Sequence, residues 1–388
     1  MSVKEGLSSL DLFVLVREFG SLLERGKVDK IFQIGGRELK IRFHVSGTGK
    51  KELVVAPNFI CLTSFERPAP ESPTSFAMQL RKHLNGAYFR GVRQVEFDRI
   101  LEFEFEGGEG RKSLVAEFFH HGNVFLLSED RKILGLLEWQ KWKDRVLGVG
   151  KTYEYPPSRT NPMTLERNDV EEGLKKSDKS VVRTLANELG WPGLAAEEIC
   201  AMVGIKKDSR FGELKNDEKS NLIETVFIFK EKLLSKESSP QIVFDEKEEF
   251  VEVLPFDFKI FEGQKKKSFD SFNDAVDEYF GGRKTQVIEG EGKIRYQKEL
   301  AKLEKMRSSQ EALVSDLEKK GGEYQIAGDN IYQHLTEIEE IKKAIETARK
   351  KGLSDKEILE KFAYGRKKGI KSAKLVKDLK KEKLTVEI

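Results

Sequence analysis

The 388-residue sequence has almost no cysteine. Its two cysteines, Cys61 and Cys200, sit in different segments among apolar neighbours. That distribution argues against a disulfide framework and for buried thiols in a reducing compartment. Histidine is also scarce, with five in the chain. No paired His or Cys spacing suggests a metal centre, and His120-His121, read as neighbours on a strand, would point to opposite faces. No apolar run approaches the roughly 18 residues of a membrane span, and the start lacks a signal-peptide core. A cytoplasmic protein without membrane contact, metal or cofactor is therefore expected. The apolar share is low, 38%, and charged residues make up 35% with a net charge of only +3. Such a chain has extended, solvated helices, and its length calls for two or three domains.

The charge balance hides an asymmetry. From Ile341 to the end, 16 Lys and Arg face 7 Asp and Glu, a local +9, so the rest of the chain is slightly acidic. Leu12, Val16, Phe19 and Leu23 recur at helical spacing, which predicts a helix over residues 7–25. Strands are predicted at 30–34, 38–45, 52–56 and 59–65, then at 92–97, 100–107, 113–119, 123–129 and 133–139, between Gly-Gly, Pro-Asn and Asp-Arg turns. A helix over 75–84 separates the two sets and is closed by Asn85-Gly86. This pattern predicts an α+β domain on antiparallel sheet, residues 1–175. Helical segments at 181–189 and 194–205 flank Gly190-Trp191-Pro192-Gly193, a helix-hairpin-helix pattern within a module at 176–236. Short strands at 242–244, 250–255 and 257–261, followed by a helix, would complete the first sheet within 237–286.

From residue 287 to 352 the apolar period becomes about three and a half. Leu300, Leu303, Met306, Leu313, Leu317, Tyr324, Ile331, Leu335, Ile338 and Ile345 predict a coiled-coil seam, weakened at Gly321-Gly322. The arm extends roughly 80 Å at 1.5 Å per residue, and its seam allows self-association. Residues 353–388 predict a small helical tip with Leu353, Ile358, Leu359, Phe362, Ile370 and Leu375 as its core. Arg366, Lys367, Lys368, Lys371, Lys374 and Lys377 would then face outward, against an acidic partner or as a merely solvated lysine face.

Three constellations bear on chemistry. Gly150-Lys151-Thr152 imitates the end of a phosphate-binding loop, but Arg145 replaces the first glycine and Pro156-Pro157 prevents the following helix, so no NTP hydrolysis is expected. In the hairpin, Gly190 and Gly193 would let backbone approach a phosphate, although Glu197 and Glu198 oppose an anion and leave a purely structural helix pair open. Asp98-Arg99 lies between a basic helix and a strand, near Arg81, Lys82, His83, Arg90 and Arg93. On its own an adjacent acid and base is usually a surface pair, and the basic cluster a solvated face.

The segments SSLDLFVLVREFG, KVDKIFQIGGRELKIRF, FAMQLRKHLNGAYFRGVRQVEFDRILEFEF and GKTYEYPPSRTNP, with the hairpin and the coiled coil, resemble the NFACT family over nearly the whole chain. The resemblance implies a factor that binds large ribosomal subunits obstructed by peptidyl-tRNA and recruits tRNA for untemplated tailing of the nascent chain, while the ribosome performs the chemistry. It implies that Asp98 and Arg99 contact tRNA, the carboxylate steadying the guanidinium fork. Arg81, Lys82, Arg90, Arg93, Gly190 and Gly193 become candidate RNA contacts. The family's N-terminal domain also resembles that of formamidopyrimidine-type DNA glycosylases, whose chemistry needs an N-terminal proline. Met1-Ser2-Val3 stands here instead, so no glycosylase activity is expected. Family members continue into a further RNA-binding domain, and a shortened or truncated relative is expected where the chain stops at LTVEI. Two other readings stay open: a coiled-coil protein scaffold without an RNA role, and a fibronectin-binding adhesin, against which the missing export signal counts.

Overall fold

The computed structural model describes residues 3–141, 145–235, 238–381 and 383–388, and leaves the side chains of 283–299 and 301 undescribed. The Met1-Ser2 start and the side chains at the beginning of the expected coiled coil lie outside the described residues. The chain forms two compact units, residues 1–289 and 290–388.

The first unit opens with α1 (Ser9–Leu22), whose Ser8 and Asp11 form a capping box. Leu12, Phe19 and Leu23 of the predicted helical face are fully buried. Two antiparallel meanders follow. One contains β1 (Lys27–Ile34), β2 (Glu38–Val45), β3 (Gly49–Val55) and β4 (Ile60–Thr63). The other contains β5 (Tyr88–Gln94), β6 (Ile100–Gly107), β7 (Gly110–Glu117), β8 (Asn123–Ser128) and β9 (Ile133–Leu136). Strands β1 and β5 join them, with Lys27 opposite Tyr88 and backbone bonds from Val28 N to Ala87 O and from Phe89 N to Gly26 O on either side. Phe43 on β2 stacks with Phe105 on β6 at 6.3 Å. Strands three places apart in a flat sheet would be separated by roughly 14 Å, so the sheet folds back over a shared phenylalanine core. Helix α2 (Ser75–Leu84) packs on β1 and β9 within this fold, at the boundaries the sequence predicts.

The second meander is buried on both faces. Leu101, Phe103, Phe105, Leu114, Ala116 and Leu126 enter the main core, while Ile100, Val115, Phe125 and Leu127 alternate onto a second one closed by Leu147 and Tyr153. The cover is the Gly-Lys-x-Tyr segment. It follows the small hairpin β10 (Gln140–Lys141) and β11 (Val146–Leu147) and pairs as extended chain: Ile133 N donates to Lys151 O at 2.8 Å, and Tyr153 N to Arg131 O at 2.8 Å. No helix follows Lys151, as the reading against a phosphate loop requires.

Residues 161–180 contain α3 (Arg167–Lys176), which buries only Val170 and Leu174. Then come α4 (Val181–Asn187), α5 (Gly193–Val203) and α6 (Asn216–Leu234). The returning strands do not complete the large sheet. They are β12 (Gln241–Phe244), β13 (Phe250–Leu254) and β14 (Lys266–Ser268), a separate sheet in the order β13-β12-β14, and residues 259–261 form a short 3-10 turn instead of the expected third strand. Lys4 ties this sheet to the chain start by pairing with Asp11 at 2.9 Å and Glu252 at 2.5 Å. Burial opposes its charge, but the two carboxylates outweigh that and raise its pKa. Helix α7 (Phe272–Val276) and a π-helical turn, Asp277–Gly282, finish the unit.

The second unit contains most of α8 (Arg283–Gln333), then α9 (Leu335–Lys350), α10 (Asp355–Lys367), α11 (Lys371–Leu375) and a hairpin of β15 (Val376–Lys380) and β16 (Lys383–Val386). The expected seam of α8 packs on nothing described. Leu303, Leu313 and Leu317 are each 58% exposed. Ile341 and Ile345 of α9 instead join Ile358, Val376 and Leu379 in the tip's core, with Leu353, Leu359, Phe362 and Leu375 around it. Two expectations are corrected here. The tip is not purely helical, because its lysine-rich end alternates as a hairpin, and Ile370 is 52% exposed rather than core. No described helix is long and apolar enough to cross a membrane.

Candidate RNA-contacting cleft

Asp98 and Arg99 end the tight turn between β5 and β6. Glu96 and Phe97 both adopt positive φ, +48° and +56°, as a primed hairpin turn requires, at about 1 kcal/mol or more for each non-glycine residue. Packing holds the turn. Phe97 inserts between Phe13 at 5.6 Å and Trp191 at 6.2 Å. Gln94 Nε2 donates to both Ser9 O and Asp98 O at 2.8 Å, stitching the turn to the start of α1.

The carboxylate does not hold the guanidinium fork. Asp98 Oδ1 accepts from the backbone amide of Arg99 at 2.7 Å, so its role is to fix the turn. The backbone of Arg99 is also set by Phe118 N, which donates to its carbonyl at 2.8 Å. Among the described residues the Arg99 guanidinium has no hydrogen-bond or ion-pair partner.

A cleft of about 680 Å³ opens beside Arg99. Its walls are Leu7, Ser8 and Ser9 at the start of α1, the turn from Glu96 to Arg99, Ser158–Thr160, and Gly190-Trp191-Pro192 before α5. The structure therefore brings the Asp98-Arg99 pair and the glycine hairpin into one site. Gly190 has φ +77°, and a Cβ there would lie 1.9 Å from Thr160 O. Its missing side chain admits a neighbouring segment of this chain, not a phosphate. Glu198, expected to oppose an anion, is buried and accepts from Lys259 N at 2.7 Å and Ile260 N at 3.0 Å. Glu197 pairs with Lys207.

The other candidate residues are placed apart from Arg99 or already engaged. Arg81 Nε donates to Ile31 O at 2.7 Å, Arg90 pairs with Glu106 at 2.7 Å, and Lys82 is exposed, near Glu109, with no hydrogen bond or ion pair among the described residues. Arg93 joins a network centred on buried Glu102, which also takes Arg131 Nη1 at 2.9 Å and the Tyr155 hydroxyl. Burial pushes the Glu102 carboxyl up, but Tyr155, Arg131 and Arg93 outweigh it and leave it below its ordinary value. Burial and Glu102 together raise the Tyr155 phenol. Neighbouring Glu117 binds Arg145 at 2.6 Å and Tyr153 Oη at 2.8 Å. These networks fix the segment leading to Ser158–Thr160, and no sequence pattern marks Glu102 or Glu117 as their centres.

Cys61 and Cys200 are both buried, and burial pushes the Cys200 thiol up to about 11. His120 and His121 lie in a turn rather than on a strand. Among the described residues no three His, Cys, Asp or Glu side chains gather as a metal site. In the tip, Lys367, Lys371 and Lys374 are exposed without described partners, Lys368 lies 4.9 Å from the Tyr364 ring centre, and Arg366 donates to Val376 O at 2.5 Å.

The family model for NFACT N-terminal and middle domains matches residues 8–352. An archaeal Rqc2 homolog, aRqcH of Methanocaldococcus jannaschii, is 34% identical over 361 residues, which cover 90% of this chain and 53% of the relative. Ribosome quality control complex subunit 2 of Saccharomyces cerevisiae is 37% identical over 184 residues, 46% of this chain and 17% of that protein. The chain thus spans about half or less of these relatives. Among solved structures, the N-terminal part of the fibronectin/fibrinogen-binding protein from Streptococcus suis matches with a TM-score of 0.58 at 22% identity, over 71% of this chain and 100% of that one. That likeness is one of fold.

Proposed function

This chain belongs to the NFACT family, and on that premise we propose that it binds large ribosomal subunits obstructed by peptidyl-tRNA and recruits tRNA for untemplated tailing of the nascent chain. The observation that carries the reading is the unpartnered Arg99 guanidinium, held on a fixed turn at the mouth of a cleft it shares with the start of α5. An arginine with no internal partner keeps its planar fork for phosphate or a base edge, and a helix start favours an anion. The protein acts as a positioning factor, with peptide bond formation left to the ribosome. We read α4, the hairpin and α5 as a helix-hairpin-helix that builds the cleft wall, α8 as one strand of a coiled coil, and the basic tip as a second contact with ribosomal RNA or acidic protein.

Arg99→Ala is expected to lower tRNA retention on obstructed subunits on the order of tenfold, the worth of a charged hydrogen-bonded contact. Asp98→Ala, which removes the acceptor for the Arg99 amide, should weaken retention as well, whereas Asp98→Asn keeps an oxygen there and should retain most of it. A pull-down of subunit-bound tRNA reads all three. Parent-like retention in both alanine variants contradicts the site. The exposed stripe of α8 favours a second reading, a protein scaffold; under it, subunits would not co-sediment with the chain even at low salt.

A further inference from the structure

We propose that Arg159 is a second phosphate-contacting residue of the Arg99 cleft, so that two guanidinium groups grip the RNA backbone there. The inference rests on the RNA-binding reading above. Arg159 lines the same cleft from the opposite stretch of chain, Ser158–Thr160, and like Arg99 it has no hydrogen-bond or ion-pair partner among the described residues. Nearby arginines are committed: Arg93 and Arg131 to Glu102, and Arg145 to Glu117. An arginine left without a carboxylate in a fold that pairs its neighbours is available to an outside anion.

The backbone beneath Arg159 is fixed. Gly190 packs against the carbonyl of Thr160, the next residue, so closely that any side chain at 190 would collide with it. Asn161 Oδ1 accepts from Met163 N at 3.0 Å and closes the turn on the other side. Tyr153 and Tyr155, bound to Glu117 and Glu102, anchor the preceding strand. The hairpin glycine therefore acts by setting where Arg159 stands, and the site is organised before its ligand arrives.

A further feature of the cleft favours phosphate. Pro192 at the start of α5, an 11-residue helix, lines the same space and gives it a helix N-terminus. Two carboxylates, Glu96 and Asp98, line the cleft beside the two guanidinium groups, and Asp98 is turned toward the Arg99 amide.

The test measures binding of a deacylated tRNA to the full chain across a salt series, with Arg99→Ala, Arg159→Ala, Arg159→Lys and, as a control away from the cleft, Arg111→Ala. Arg159→Ala is expected to weaken binding on the order of tenfold and to reduce the slope of log affinity against log salt by about 0.7 to 0.9, one phosphate. Arg159→Lys should restore the slope but only part of the affinity, because it keeps the charge and loses the fork. Thermal melting should not change, since the side chain is exposed and unpaired. Arg159→Ala binding like Arg111→Ala while Arg99→Ala is weakened would overturn the inference and leave the RNA reading standing. Parent-like binding by all four overturns both.

Discussion

Trp191→Ala is expected to destabilise the N-terminal unit by about 3–5 kcal/mol, the range for deleting a large buried aromatic. The indole is 2% exposed and meets Phe97 edge-on at 6.2 Å and Phe229 at 5.4 Å, so it ties the β5–β6 turn to α6. Its removal leaves a cavity bordered by two rings and withdraws the support that offsets the left-handed backbone at Glu96 and Phe97. Tryptophan to phenylalanine should lose much less, because most of the apolar volume stays and the indole N–H has no described partner to abandon. Urea unfolding followed by far-ultraviolet circular dichroism gives the comparison. A loss below about 1 kcal/mol for the alanine variant, an ordinary surface effect, would mean that the hairpin does not brace the turn.

Glu102→Gln is expected to cost about 1–3 kcal/mol. Breaking a buried pair costs about 3–5 kcal/mol, but Arg93 and Arg131 are 51% and 34% exposed and recover some hydration. The pH dependence gives the sign independently. The Glu102 carboxyl is lowered in the folded protein, so the stability it contributes is present above the ordinary carboxylate value of 4.5 and is lost as pH falls through the lower folded value. The gap between parent and variant should therefore be full at neutral pH and close in strong acid. A gap that stays constant down the acid limb would show that the carboxylate charge does not hold the network.

Local pattern carried most of the first unit's elements. Strands β2 and β6 and helix α2 appear at their predicted boundaries, because alternation and helical spacing are written in adjacent residues and close at glycine or asparagine turns. Pairing was less legible. Nothing in residues 241–268 says whether those strands extend a distant sheet or make their own, and α3 escaped because two apolar residues in a polar stretch carry little period. The same limit hid the far end of the seam: Ile345 fits a heptad, yet it turns into the tip's core, and the hairpin at 376–386 was hidden by its lysines. At the site, sequence named Asp98, Arg99 and Gly190 but not their relation. The role of Asp98 as a clasp on the next backbone amide depends on a side-chain conformation that spacing does not reveal, and the placing of Arg159 by Gly190 depends on the contact of Gly190 with Thr160, across 30 residues, visible only once the chain is folded. A signal for Arg159 was available in the motif itself, as the one arginine between Pro156-Pro157 and Asn161-Pro162.

The central claim is that this chain distinguishes a large ribosomal subunit still carrying peptidyl-tRNA from an empty one. Co-sedimentation of the full chain with both kinds of subunit, at moderate salt, tests it most directly. The prediction is preferential binding to the peptidyl-tRNA-bearing subunits, with the preference reduced in Arg99→Ala. Equal binding to both, or to neither, would contradict it.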